Sequence, residues 1–228
     1  MDIKTNKESP FASARAVAGY LDQTPLKVPG LADLHRMTML LLSERAQQDA
    51  RILVIGAGGG MEVRALGEAQ PSWSFVSVDP SASMLDLASQ SLQSMLDRVQ
   101  LQKGTIDVVS EVGFDGATCL LTLHFLDRSD RRHTLKEIRR RLKPGARLVV
   151  AHHTSGGGNA VQWLTRSAGF SDRTGSDWDR ALHSGKAMAE ALPILAPAEE
   201  EDLLRDAGFV DVELFYAAFS FRGWVATA

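Results

Sequence analysis

Five consecutive residues, Gly56-Ala57-Gly58-Gly59-Gly60, carry the clearest chemical signal in the chain. They stand where a strand read over 51–56 gives way to a helical pattern over about 59–68. Glycine needs no room for a Cβ, so such a loop turns tightly and lets a ligand approach the backbone. In an open α/β sheet, ligands collect at the carboxyl ends of the strands, where this loop would lie. Asp79 closes the next apolar run, 73–79, and stands 19 residues after Gly60. A carboxylate there can accept hydrogen bonds from both hydroxyls of a ribose. A plain strand-to-helix turn is the competing reading of the glycines alone. Register narrows the ligand class. A dinucleotide loop, Gly-x-Gly-x-x-Gly, would need a third glycine at position 61 or 63, which hold Met61 and Val63. The pattern Gly-x-Gly-x-Gly fits Gly56, Gly58 and Gly60.

Three histidines fall at other strand ends. His124 follows the fourth strand, where it can act as a general base or orient an acceptor, or simply cap a buried strand end. His152 and His153 follow the fifth. Strand neighbours alternate, so at most one of them faces a pocket at that edge. No carboxylate or thiolate stands at ligand spacing from these histidines, and no metal site is expected. Cys119, mid-strand among apolar neighbours, reads as a small core residue. No Gly-x-Ser-x-Gly elbow and no Walker-A lysine is present.

These groups need a scaffold. The chain has 228 residues, 44% of them hydrophobic and 23% charged, which suits one large domain and argues against wholesale disorder. Short β-like runs alternate with longer helical patterns, the signature of a parallel α/β sheet. Helices are expected at 11–21, from Leu31 to about Leu41, at 81–96 with Ser81 as N-cap, at 130–142, and from Pro197 to Gly208. Strands are expected at 99–102, 117–123, 147–151, 210–216 and 219–227. The first ten residues are expected to fray. Residues 154–195 break the rhythm and read as a helical insertion over the sheet's carboxyl edge, with helices near 160–168 and 178–191. Gly156-Gly157-Gly158 would serve as its hinge. Trp163, Phe170 and Trp178 would line a pocket or anchor the cover. The expected division is an N-terminal helical cover, 1–48, and a cofactor-binding domain, 49–228.

The formal net charge of -3 gives no global reason to expect nucleic-acid binding. Nine of the 25 lysines and arginines fall between Arg128 and Arg147, a cluster that reads as a solvated helix face before it reads as an RNA patch. One cysteine excludes an intramolecular disulfide. No apolar run is long enough to span a bilayer, and the polar first residues lack a signal peptide's apolar stretch. A cytoplasmic protein without a membrane partner is expected.

The glycine pattern resembles the first motif of class I S-adenosylmethionine (SAM) methyltransferases. Further segments are similar in the same order. Val78-Asp79-Pro80-Ser81-Ala82-Ser83-Met84-Leu85 resembles the second motif, and Gly104-Thr105-Ile106 stands where the family contacts adenine. Leu142-Lys143-Pro144-Gly145-Ala146-Arg147-Leu148-Val149 resembles the signature after strand four. The resemblance covers roughly 50–228 without the insertion. It implies a Rossmann-like, doubly wound, seven-stranded, mostly parallel sheet with an antiparallel last strand. It implies methyl transfer from SAM to a small-molecule acceptor, with a homodimer compatible and nucleic acid not favoured as partner. It implies cofactor contacts at Gly56, Ala57, Gly58, Gly60, Asp79, Pro80, Met84, Thr105, Ile106 and Leu121; beside it, position alone makes Arg36 the partner expected for the cofactor carboxylate and His124 the expected catalytic group. One position departs. The family carries Asp or Glu two residues before the first glycine, and this chain has Val54; Glu62 lies nearby, outside the motif position.

A narrower similarity runs to the carboxy-SAM synthase branch of that family, through Val28-Pro29-Gly30, Leu34-His35-Arg36-Met37 and Thr122-Leu123-His124-Phe125-Leu126. Leu120 replaces that branch's cofactor-contacting asparagine, so shared architecture is expected without a shared reaction. The alternatives are a carboxy-SAM synthase-like or tRNA-modification-related enzyme, and a SAM-binding module without catalysis.

Overall fold

The computed structural model describes residue 11 and residues 13–175 and 177–228; the expected fraying of the first ten residues lies outside them. One seven-stranded sheet organises the chain, in the order β3-β2-β1-β4-β5-β7-β6. Its strands are β1 Arg51–Ile55, β2 Ser74–Asp79, β3 Val99–Lys103, β4 Phe114–Leu120, β5 Leu142–His153, β6 Val210–Ala218 and β7 Phe221–Thr227. The first five pair in parallel. Only β7 runs antiparallel, between β5 and β6. This is the Rossmann-like arrangement with one reversed last strand that the sequence implies.

Alternating strand side chains feed two cores. Leu53 and Ile55 of β1 join Leu135, Ile138, Leu203 and Leu204 on one face. Ile52 and Val54 join Leu34, Leu42, Val63 and Leu66 on the other. The first face is covered by α6 (Arg128–Arg141) and α9 (Pro197–Asp206), the second by α3 (Leu31–Ser43), α4 (Met61–Ala69) and α5 (Ala82–Ser91). Because both faces are covered, β1 is apolar without alternation.

Several boundaries differ from those expected. The helix expected at 11–21 is two, α1 Ala14–Val17 and α2 Tyr20–Lys27, separated at Gly19, whose φ is 75°. α2 continues through Pro25, where the sequence reads as irregular. Thr24 Oγ1 donates to the Tyr20 carbonyl within it at 2.7 Å. β4 lies three residues earlier than 117–123, because Leu121 leaves the extended region with φ 56° and Leu123–Phe125 form a 3-10 turn. β5 is longer than 147–151: Leu142 pairs with Phe114, and the ladder resumes at Gly116 and Arg147 after an irregularity. The last strand starts at Phe221, since Phe219 sits in the turn with φ 50°. Between β5 and α9 lie α7 (Ala160–Ser171) and α8 (Trp178–Ala191), close to the expected spans.

Candidate cofactor and acceptor site

The carboxyl end of β1 builds the first half of the site. Gly56 and Ala57 both donate to the Val78 carbonyl at 2.9 Å, which pins the loop to β2. Gly56 has φ 83°, and a Cβ there would collide with Thr122 Oγ1. Only glycine meets both demands. Asp79 fixes the other side of the loop. Its Oδ2 accepts from the Gly58 amide and its Oδ1 from the Ser81 amide, each at 2.9 Å. Burial pushes the Asp79 pKa up, and these two amides pull it back. An ionised carboxylate has about four acceptor positions, so capacity remains for two ribose hydroxyls. Loop and acid thus form one unit, and the acceptor positions left on Asp79 suit the hydroxyls of a ribose.

The other expected contacts divide. Met84 is buried in the first turn of α5, which Ser81 caps by accepting from the Met84 amide at 3.2 Å. Ile106 is buried just after β3, Thr105 is exposed beside it, and Gly104 is tied to the Asp79 carbonyl at 3.0 Å. Leu121 stands half-buried at the end of β4, donating to the Ala151 carbonyl at 2.6 Å. Pro80 is exposed. Arg36 lies on the exposed side of α3, and the neighbour that turns inward is His35, whose pKa burial lowers to about 4. What roofs the loop is α2. A Cβ on Gly58 would meet the Tyr20 hydroxyl at 3.3 Å, and one on Gly59 would meet Leu21 at 2.7 Å. Phe11 continues this roof, edge-on to both Tyr20 and Phe125.

From Thr122 the site continues through two imidazoles. His124 is buried, and its Nδ1 accepts from the His153 amide at 3.4 Å. Burial, then the neighbouring His153, push its pKa well below the usual histidine range. The His153 ring stands 4.9 Å from the His124 ring and stacks on Phe221 at 3.9 Å. Burial lowers the His153 pKa to about 3. Its Nδ1 is 2.7 Å from Ser220 Oγ, which lies 2.6 Å from Ser167 Oγ on α7. Beyond His153 opens a cavity of about 550 Å³, bounded by Lys27 of α2, Phe221 of β7, and Ser167, Arg180 and Met188 of α7 and α8. Both imidazoles are neutral near pH 7, so they can place an acceptor atom but are weak bases.

As strand alternation requires, His152 faces the opposite way. Its Nε2 is 3.2 Å from Glu200 Oε1, and Glu200 also pairs with fully buried Arg131. Arg131 donates to the Pro193 carbonyl at 2.5 Å, tying the segment after α8 to α6. Arg141 and Arg140 pair with Glu137, Lys143 with Asp115, Arg147 with Glu44 and Arg128 with Glu199, so most of the basic cluster is paired within the fold. Cys119 is fully buried, and burial raises its pKa. Trp163 packs beneath Arg166 and Arg222 and against Gly156, and does not border the cavity. Sequence reasoning missed Lys27, because the helix carrying it was not foreseen, and it left Glu62 without a role.

Comparison with known proteins agrees with this geometry. The family described as "Methyltransferase domain" matches residues 53–148. The carboxy-S-adenosyl-L-methionine synthase of Aeromonas hydrophila is 23% identical over 218 residues, covering 90% of this chain and 85% of that one. A putative O-methyltransferase from Nostoc punctiforme superposes with a TM-score of 0.68 at 19% identity, over 94% of this chain and 60% of that one. Human N-acetylserotonin methyltransferase, solved in complex with SAM, superposes with a TM-score of 0.63 at 16% identity, over all of this chain and 60% of that one. The chain thus spans about three-fifths of the length of these two solved proteins. The fold is that of the class I SAM-dependent methyltransferases. Residues 53–148, which hold the glycine loop, Asp79 and β4, are the part that matches the methyltransferase-domain family.

Proposed function

We propose that this chain is an enzyme that transfers the methyl group of SAM to a small-molecule acceptor seated in the cavity beside His153. The observation that carries this reading is the single unit formed by the glycine loop and the Asp79 carboxylate. When bound, SAM supplies a methyl group on a sulfonium, which leaves without acid assistance. The protein therefore has to align, desolvate and hold. In this reading Asp79 holds the ribose, Gly56, Ala57, Gly58 and Gly60 give the backbone approach, and Met84, Ile106 and Thr105 border the base. Leu121 marks the step from cofactor to acceptor. His124 orients His153, and His153 faces the acceptor. Neither imidazole takes up a proton readily, which favours an acceptor that ionises unaided. Lys27, exposed and without an ion pair among the described residues, is placed to meet an anionic group on it.

No helix of the described residues is long and apolar enough to cross a membrane. A cytoplasmic setting belongs to this reading and rests on the lone cysteine, which leaves no disulfide framework of the kind found in oxidising compartments. The similarity to carboxy-SAM synthases supports a second reading, in which the site makes or uses a carboxylated cofactor. Incubation with SAM labelled in the methyl group and a fractionated metabolite extract separates the two. Label appearing in a new small molecule is the expected result. Label retained on a carboxylated cofactor would favour the second reading, and label in neither would overturn both.

A further inference from the structure

Glu62 is a buried acid with one carboxylate oxygen unpaired among the described residues. It stands in the first turn of α4, directly after the glycine loop, and is 7% exposed. Its Oε1 has no hydrogen-bond partner among the described residues, and neither has Oγ1 of the neighbouring Thr118. Burial raises the Glu62 pKa to about 7, with Thr118 pulling the other way. A carboxylate stripped of water costs free energy unless a donor or cation compensates it. The fold needs nothing from this one: the strand beneath is held by its own ladder, and the α4 backbone closes without a side-chain cap.

Its position suggests what it awaits. Strand order places β2 on one side of β1 and β4 on the other. Asp79, at the end of β2, marks the ribose side of the loop. Glu62 neighbours Thr118 and Cys119 of β4, so it lies on the opposite side. The roof residue Tyr20 is close enough to feel the charge of both acids and has its hydroxyl over Gly58. A ligand that Asp79 holds by its ribose and that crosses the loop would bring its other end toward Glu62. In SAM that end carries a primary ammonium, a cation with three donors.

We propose that Glu62 receives the amino group of the cofactor's methionyl end, an acid supplied by the helix after the loop instead of by the strand before it. The proposal rests on the cofactor reading above and assigns one further binding residue to it. It also accounts for an unsatisfied acid that the fold keeps at a cost: binding residues are commonly kept against stability.

The test uses two ligands that cannot react. S-adenosylhomocysteine carries the amino-acid end, and 5′-methylthioadenosine has the same nucleoside thioether without it. Both are titrated by calorimetry into the wild type, Glu62→Gln and Glu62→Asp, with thermal melts alongside. Glu62→Gln is expected to weaken S-adenosylhomocysteine by about tenfold or more, as for a hydrogen bond to a charged group. It should leave methylthioadenosine unchanged and hold or raise the melting temperature at pH 8. Glu62→Asp, which keeps the charge, should fall between. Unchanged S-adenosylhomocysteine affinity, or an equal loss for both ligands with a lower melting temperature, would overturn the proposal. A wild type that binds neither ligand would instead overturn the cofactor reading on which it stands.

Discussion

The cofactor cradle and the acceptor cavity lie at the same sheet edge and are built differently. The cradle is made of backbone: Gly56 and Ala57 are held by the Val78 carbonyl and Gly58 by the Asp79 carboxylate, all within 24 residues between positions 56 and 79. The cavity is made of side chains that converge from α2, β5, α7, α8 and β7, from Lys27 to Phe221. A ligand common to many enzymes can be met by a fixed backbone pattern. A ligand particular to one enzyme is met by side chains whose identities are free to vary. The two regions should therefore respond differently to substitution, one through binding of the cofactor and the other through anchoring of the walls.

The largest effect is expected at the anchor of the cavity. Glu200→Ala strands the fully buried Arg131 without its carboxylate and should cost about 3–5 kcal/mol in urea unfolding. Cofactor affinity of the protein that remains folded should be unchanged. A loss of cofactor binding in step with stability would show that the two regions are not separable.

Glu62 yields a pH signature within the cradle. Its pKa is raised from 4.5 to about 7 in the folded chain, so the native state binds the extra proton in between. Stability is therefore fully present below about pH 4.5 and falls as pH rises toward 7. The loss approaches about 3 kcal/mol for a shift of this size. Glu62→Gln should remove that part of the pH dependence, as read by denaturant melts from pH 5 to 8. An identical slope in wild type and variant would mean that Glu62 is already compensated.

Gly58→Val tests the cradle as backbone. Gly58 has φ 51°, and its Cβ would meet only the tip of Tyr20, so circular dichroism should report a folded chain. S-adenosylhomocysteine affinity should drop about 100-fold or more, about 2.7 kcal/mol. Retained affinity would mean that the loop does not face the ligand. The smallest effect is expected from Lys27→Ala. KM for the acceptor returned by the labelled-cofactor screen should rise about threefold to tenfold, at most about 1.4 kcal/mol. S-adenosylhomocysteine affinity should not move.

How much the sequence reveals follows the same division. The loop and Asp79 are legible because a positive φ and the approach of Thr122 leave only glycine at position 56, and the acid must end the adjacent strand. The sheet is legible because β1 is apolar on both faces. Arg36 and His35 are not: the helix pattern carries both residues, and only the packing of α3 decides that His35 turns inward. Lys27 is hidden by Pro25, which reads as the end of a helix but lies inside one. Glu62 reads as an ordinary first-turn acid favoured by the helix dipole. Only β4 behind it, more than fifty residues later in the chain, makes it a buried one. The start of β4 is misplaced because Leu121 to Leu123 continue the apolar run after the backbone has left the strand.

The central claim is that the loop and Asp79 hold SAM and not a dinucleotide. Calorimetric titration of SAM, S-adenosylhomocysteine and NAD into the wild-type chain tests it most directly. The account predicts saturable binding of the first two and no heat of binding from NAD. Binding of NAD, with no response to SAM or S-adenosylhomocysteine, would contradict it.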